Sequence, residues 1–112
     1  MKEKVVSGIR PTGFLHLGNY FGAVKSFIEM QNSYDCMFFI ADWHSLTTRP
    51  KPEDIQKSAR VILAEYLACG IDPDKAPIYI QSDVKETLEL YLYLNMNTYI
   101  GELGRVTTFK EK

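Results

Sequence analysis

Apolar and polar residues follow different rhythms along this chain, and each rhythm predicts an element. "KVVSG", residues 4–8, is short and holds paired valines, which predicts a first strand. In "YFGAVKSFIEMQ" the residues Tyr20, Ala23, Val24, Phe27 and Ile28 recur at i, i+3, i+4, i+7 and i+8. That spacing predicts a helix with one buried face. "CMFFIA", residues 36–41, is an unbroken apolar run and predicts a strand covered on both faces. "RPKPEDIQKSARVILAEYLACG" predicts a second helix, with Pro52 in its first turn, Glu53 and Asp54 at its positive end and Gly70 at its C-terminal cap. Its expected buried face is Ile55, Ala59, Ile62, Leu63 and Tyr66. "PIYIQ", residues 77–81, predicts a third strand. Asp83 with Glu86 then predicts a capping box that opens a third helix reaching about Asn95.

The order β-α-β-α-β-α predicts parallel strands with right-handed helical crossovers, a Rossmann-like α/β sheet. Ligands in such sheets bind beyond the carboxyl ends of the strands. Residues 8–19, 42–47 and 81–83 therefore belong to one expected binding rim.

Composition narrows the chemistry. The chain has 112 residues, enough for one domain or part of one, and its 46% apolar and 24% charged residues are ordinary for a globular protein. Thirteen basic and fourteen acidic side chains give a net charge of −1, without the basic surplus of a typical nucleic-acid surface. The longest apolar run, six residues, is far short of a membrane span, and the first residues lack the apolar stretch of a signal peptide. A cytoplasmic location with no membrane partner is expected. Cys36 and Cys69 stand apart without metal-type spacing, so two reduced, mostly buried thiols and no metal site are expected.

The richest segment is "GIRPTGFLHLGNY", residues 8–20. A glycine-bearing turn from a strand into a helix offers backbone N–H groups and a positive helix end to an anion. This one fits neither GxGxxG nor GxxxxGK[ST]. Gly13 permits a tight turn with positive φ, and Gly18 lets a flat base or ribose lie against bare backbone. His16 and Asn19 would direct donors toward phosphate oxygens. A histidine so placed stabilises charge growing on phosphorus during nucleotidyl transfer, a role worth ~10²–10³ in rate. Taken singly, His16 also reads as a structural residue bonded to a nearby carbonyl. The strand before it, the glycines around it and the helix after it favour the ligand reading.

"PTGFLHLGN" resembles the HIGH signature of class I aminoacyl-tRNA synthetases. "SGIRPTGFLHLGNYFGAV", "DWHSLT", "LAEYLACGIDPDKAPIYIQSDV" and "YIGELGRVTTFKEK" are similar, in order and over essentially the whole chain, to the tryptophanyl branch. The tyrosyl branch shares the first motif loosely but not the closing one. The resemblance implies that residues 1–112 are the N-terminal part of the catalytic domain, the first half of the class I nucleotide-binding fold. The KMSKS loop, the acidic residue that reads the indole N–H and the helical anticodon-binding domain are not among these residues. It also implies a tryptophan–tRNA ligase. The carboxylate of L-tryptophan attacks the α-phosphate of ATP, carried with Mg2+, and the aminoacyl group then moves to tRNA(Trp). This chain alone is expected to be inactive, and a homodimer is expected, with "YLYLNMNTYI", residues 91–100, as core or subunit interface.

Carried onto this sequence, the resemblance assigns ATP binding to Arg10, Pro11, Thr12, His16, Gly18, Asn19, Lys110 and Lys112. It assigns catalysis to His16, Asn19 and Lys112, and a substrate pocket to Val6, Gly8, Arg10, Asp42 and His44. Arg10 departs from the glutamine common in the family. Val6, Ser7 and Gly8 would form one pocket wall, although Val6 also suits a strand core. Asp42 and His44 read either as the family's D-x-H or as an Asx-type turn cap beside a solvated histidine. Trp43 reads as packing. Lys110 and Lys112 read either as phosphate-side lysines of a closing loop or as solvated charge. Two other functions fit the first motif: a nucleotidyltransferase of the HxGH type, and a non-catalytic nucleotide-binding or dimerisation module.

Overall fold

Parallel strands cannot be joined by tight turns, so each pair here is separated by a helical crossover. The computed structural model describes residues 2–110. Strands β1 (Lys4–Ile9), β2 (Asp35–Ile40) and β3 (Ile78–Ile80) form one parallel sheet in the order β1-β2-β3. Helix α1 (Leu17–Asn19), a π-helical stretch (Tyr20–Val24) and helix α2 (Lys25–Ser33) make the first crossover. Helix α3 (Asp42–Ser45), a 3-10 turn (Leu46–Thr48) and helix α4 (Pro52–Cys69) make the second. A 3-10 turn (Gln81–Asp83) follows β3, then α5 (Glu86–Met96), α6 (Ile100–Leu103) and α7 (Thr107–Lys110). The Rossmann-like parallel sheet expected from the sequence is the one observed.

Both crossovers step across the sheet in the same direction. With right-handed connections their helices must then lie on the same face. The core has this form: Val24 and Phe27 on one side, and Ala59, Ile62 and Tyr66 on the other, meet Cys36, Phe38 and Ile40 of β2. Phe27 stacks on Phe38 at 4.3 Å between ring centroids and meets Tyr66 edge-on at 6.1 Å. Burial pushes the Cys36 thiol and the Tyr66 phenol up, so both stay protonated near neutrality. Both cysteines are free, Cys36 buried and Cys69 half-buried. Buried Gln31 ties the chain behind α4, donating to Gly70 O at 2.9 Å and accepting from Asp72 N at 2.8 Å.

The same topology corrects three expectations. Among the described residues strand β2 is sealed on its helical face only, and Met37 and Phe39 on the opposite face are half-buried. Val6 is 56% exposed and not in a core, because among the described residues nothing covers the face of the sheet to which it points. Leu63 sits at the margin of the α4 interface, 37% exposed, while Ala59, Ile62 and Tyr66 are buried. The ends of α4 are as read, with proline in its first turn and Gly70 left-handed at φ 104°.

The capping box of Asp83 and Glu86 does not form. Asp83 is used in the 3-10 turn after β3, so α5 starts from Lys85, with no side-chain cap. Two residues before the cap, Asp83 is out of register with the helix's free N–H groups. Every residue from 83 to 102 is exposed, which removes "YLYLNMNTYI" from the core of this chain. Helix α5 carries Leu88, Leu90, Tyr91, Leu92, Tyr93 and Leu94 around its circumference, all exposed. The radius of gyration is 15.7 Å, against about 13 Å for a compact chain of this length.

On the open face of the sheet Gly8 lies opposite Phe39. A Cβ there would run into the Phe39 carbonyl oxygen and come within 2.7 Å of its ring. The Gly8→Ala variant of the full-length protein is therefore expected to lose about 2–3 kcal/mol, because backbone of the next strand cannot swing aside as a side chain would. An unchanged thermal midpoint would contradict this packing.

Candidate functional site

Parallel strands deliver their carboxyl ends to one rim, and three segments converge there. After β1, residues 10–16 form the loop that enters α1. Gly13 takes a left-handed conformation at φ 104°, as its place in the turn requires. His16 is the N-cap of α1, with extended backbone at φ −103° and ψ 168°.

His16 and Asn19 bind each other reciprocally. Asn19 N donates to His16 Nδ1, and His16 N donates to Asn19 Oδ1, each at 3.2 Å. An acceptor at Nδ1 puts the ring proton on Nε2. Among the described residues neither His16 Nε2 nor Asn19 Nδ2 has a hydrogen-bond partner, so both are donors available to a ligand. Gly18 has a local reason as well: a Cβ there would come within 2.9 Å of the His16 ring. The turn after Asn19 is π-helical, with Lys25 N donating to Tyr20 O, a widening often found beside functional sites.

Asp42 follows β2 and turns its carboxylate toward the third segment. Its Oδ1 accepts from Ser82 N at 3.1 Å, joining the turns after β2 and β3. The Asx-type cap on its own turn is not what forms, because the bond spans forty residues. His44 is exposed on α3, and Trp43 beside it is half-buried, consistent with packing. Arg10 is half-buried and without a hydrogen bond or ion pair among the described residues. Val6 and Gly8 share the open face of the sheet, while Ser7, opposite buried Phe38, points to the helical side. The three residues expected to form one wall therefore do not share a face: Val6 and Gly8 lie on the open one and Ser7 on the other. Lys112 lies outside the described residues, and only the backbone of Lys110 is described.

These residues share a rim but not one cavity. Pro11 and Thr12 line a cleft of about 480 Å3 with Ser45, Thr48 and Asp54. His16 lines a second, of about 270 Å3, with Leu15, Tyr20 and Glu65. Asp42 lines a third, of about 350 Å3, with Ile80 and Ser82. Two residues not singled out from the sequence also belong here. Gln81 Oε1 is buried without a hydrogen-bond partner among the described residues, an arrangement that costs about 1–3 kcal/mol unless a ligand or water donates to it. Glu65 of α4 accepts from Leu15 N at 2.9 Å. Gln81 falls within the rim segment 81–83 expected from the sequence, but its unpartnered oxygen is not legible there, and nothing local marks a glutamate on a helix.

The chain is 74% identical over 110 residues to the tryptophan–tRNA ligase of Porphyromonas gingivalis, covering 98% of this chain and 34% of that protein. It superposes on the tryptophanyl-tRNA synthetase of Campylobacter jejuni with a TM-score of 0.90 and 38% identity, covering all of this chain and 35% of the other. The same Campylobacter enzyme, solved in complex with ADP and tryptophan, gives a TM-score of 0.88 at 39% identity over 96% of this chain and 34% of that one. The chain thus spans about a third of the length of the relatives it matches. Residues 2–112 match the family described as tRNA synthetases class I (W and Y). With its parallel sheet and the histidine at the entrance of the first helix, the chain belongs to the class I tRNA synthetases (W and Y).

Proposed function

We propose that the full-length protein carrying this chain is a tryptophan–tRNA ligase and that these residues are the first part of its catalytic domain. The observation that carries the reading is the identity, along nearly the whole chain, to a protein of that activity. In the first step a tryptophan carboxylate oxygen bonds to the α-phosphorus of ATP, the bond from that phosphorus to the bridging oxygen breaks, and pyrophosphate leaves. In the second the aminoacyl group passes to tRNA(Trp), releasing AMP. Mg2+ enters with the nucleotide as part of the substrate.

His16 Nε2–H and the Asn19 amide are the donors for the phosphates, and Gly18 keeps the imidazole over the helix entrance. Arg10, Pro11 and Thr12 flank the nucleotide, and the roles of Lys110 and Lys112 rest on the family resemblance alone. Val6 and Gly8 give the indole a shallow apolar floor, with Asp42 and His44 at the rim. The unpartnered Gln81 Oε1 offers an acceptor for a substrate donor on the same rim. Helix α5 is apolar around its circumference and uncovered, a surface of the kind that a second subunit buries. A cytoplasmic homodimer is the assembly proposed. Among the described residues no helix is long and apolar enough to cross a membrane.

Exchange of labelled pyrophosphate into ATP by the full-length protein tests the reading. The expected result is exchange that depends on tryptophan and is not supported by tyrosine. Exchange driven by another acceptor would favour a different nucleotidyltransferase, and nucleotide binding without exchange would favour a non-catalytic module.

A further inference from the structure

We propose that Glu65 is a positioning residue for the phosphate-facing loop, holding His16 in place through the backbone of Leu15, a role that rests on the functional reading above. The loop has little stiffness of its own. Gly13 is left-handed, and Phe14 is largely exposed and so adds little packing. Glu65 Oε2 accepts from Leu15 N at 2.9 Å across fifty residues of sequence. Among the described residues this is the one hydrogen bond that ties residues 11–15 to another element. The next amide, His16 N, is held by Asn19 Oδ1 at 3.2 Å. The peptide planes on both sides of the Leu15 Cα are thereby fixed, and with them the direction in which the chain enters α1.

Glu65 is suited to this because its helix is anchored. Its neighbours Ile62 and Tyr66 are essentially fully buried against the sheet, so the carboxylate is presented from a rigid body. Glu65, Leu15 and His16 line the same cleft of about 270 Å3. The bond has a second consequence. A turn before a helix ordinarily offers its N–H groups to an anion. Here the Leu15 N–H is already occupied, and a carboxylate beside it repels phosphate from that side. The phosphate contact is thereby left to Nε2 of His16, which has no hydrogen-bond partner among the described residues.

The test uses the full-length protein with Glu65→Leu, which removes the acceptor and keeps apolar bulk, and Glu65→Gln, which keeps a carbonyl acceptor. Glu65→Ala replaces the leucine variant if that one fails to fold. The variant without the acceptor is expected to lose about 10- to 30-fold in kcat for tryptophan-dependent pyrophosphate exchange, since misplacing a catalytic group by about 1 Å costs on the order of 10²-fold. KM for ATP should change less than about threefold, and the glutamine variant should recover most of kcat. Amide hydrogen exchange of the peptide containing Leu15 should quicken about tenfold without the acceptor and stay near the parent value with glutamine. A folded variant lacking the acceptor but with parental kcat overturns the proposal, as do unaltered amide exchange and equal losses in the leucine and glutamine variants. If the parent protein itself lacks tryptophan-dependent exchange, the functional reading fails, and the amide measurement still decides whether Glu65 holds the loop.

Discussion

Alanine at position 16 of the full-length protein is expected to slow tryptophanyl-adenylate formation by about 10²–10³-fold while changing KM for ATP little. The α-phosphate of the transferring adenylyl group gathers negative charge on its oxygens as the carboxylate approaches, and a donor aimed there matters more in the transition state than in the bound substrate. The imidazole is held at one ring nitrogen. Its Nδ1 accepts from Asn19 N at 3.2 Å, so Nε2 carries the proton without a search for the right tautomer. The same bond caps α1, and its loss should cost about 1 kcal/mol of stability. His16→Asn separates the two effects. Asparagine is a good N-cap, so that variant should recover stability but not rate. If KM for ATP rose with kcat unchanged, the histidine would be a ground-state contact and the proposed role would fall.

A polypeptide of residues 1–112 produced alone is expected to charge no tRNA and to self-associate. Charging needs phosphate contacts held together in register, and the candidate site residues here are spread over three open clefts. Self-association has two independent causes. Among the described residues β1 pairs on one side only, leaving a row of backbone N–H and C=O groups that can template another strand. Helix α5 exposes leucines and tyrosines on all sides, and a helix of that pattern is ordinarily buried. Light scattering should report masses above the 12.9 kDa of a single chain. A stable monodisperse monomer, or tRNA charging by material free of longer protein, would contradict the expectation.

Local signals were legible because they act within a few residues. Helical periodicity marked Val24, Phe27, Ala59, Ile62 and Tyr66 as core, and all are buried. Proline in the first turn and glycine after the last delimited α4, and the glycines and histidine of residues 8–20 announced a turn that enters a helix. Parallel topology then followed, since strands separated by long helical segments have few other ways to pair. Even a local signal failed where two structures competed for one residue. Asp83 entered a 3-10 turn closing β3, and the helix began without it.

What folding added is the pairing of residues distant in the chain. The order β1-β2-β3 put both crossover helices on one face, and so left Val6, Phe39 and Tyr79 on an open one. Packing of α4 against the sheet brought Glu65 to Leu15, and the parallel strand ends brought Asp42 to Ser82. A sequence records which groups can donate and accept; which of them meet across forty or fifty residues depends on how buried surfaces fit together. The identity of the motif was therefore set by neighbouring residues. The scaffold that aims His16 was set by the packing of a helix fifty residues away.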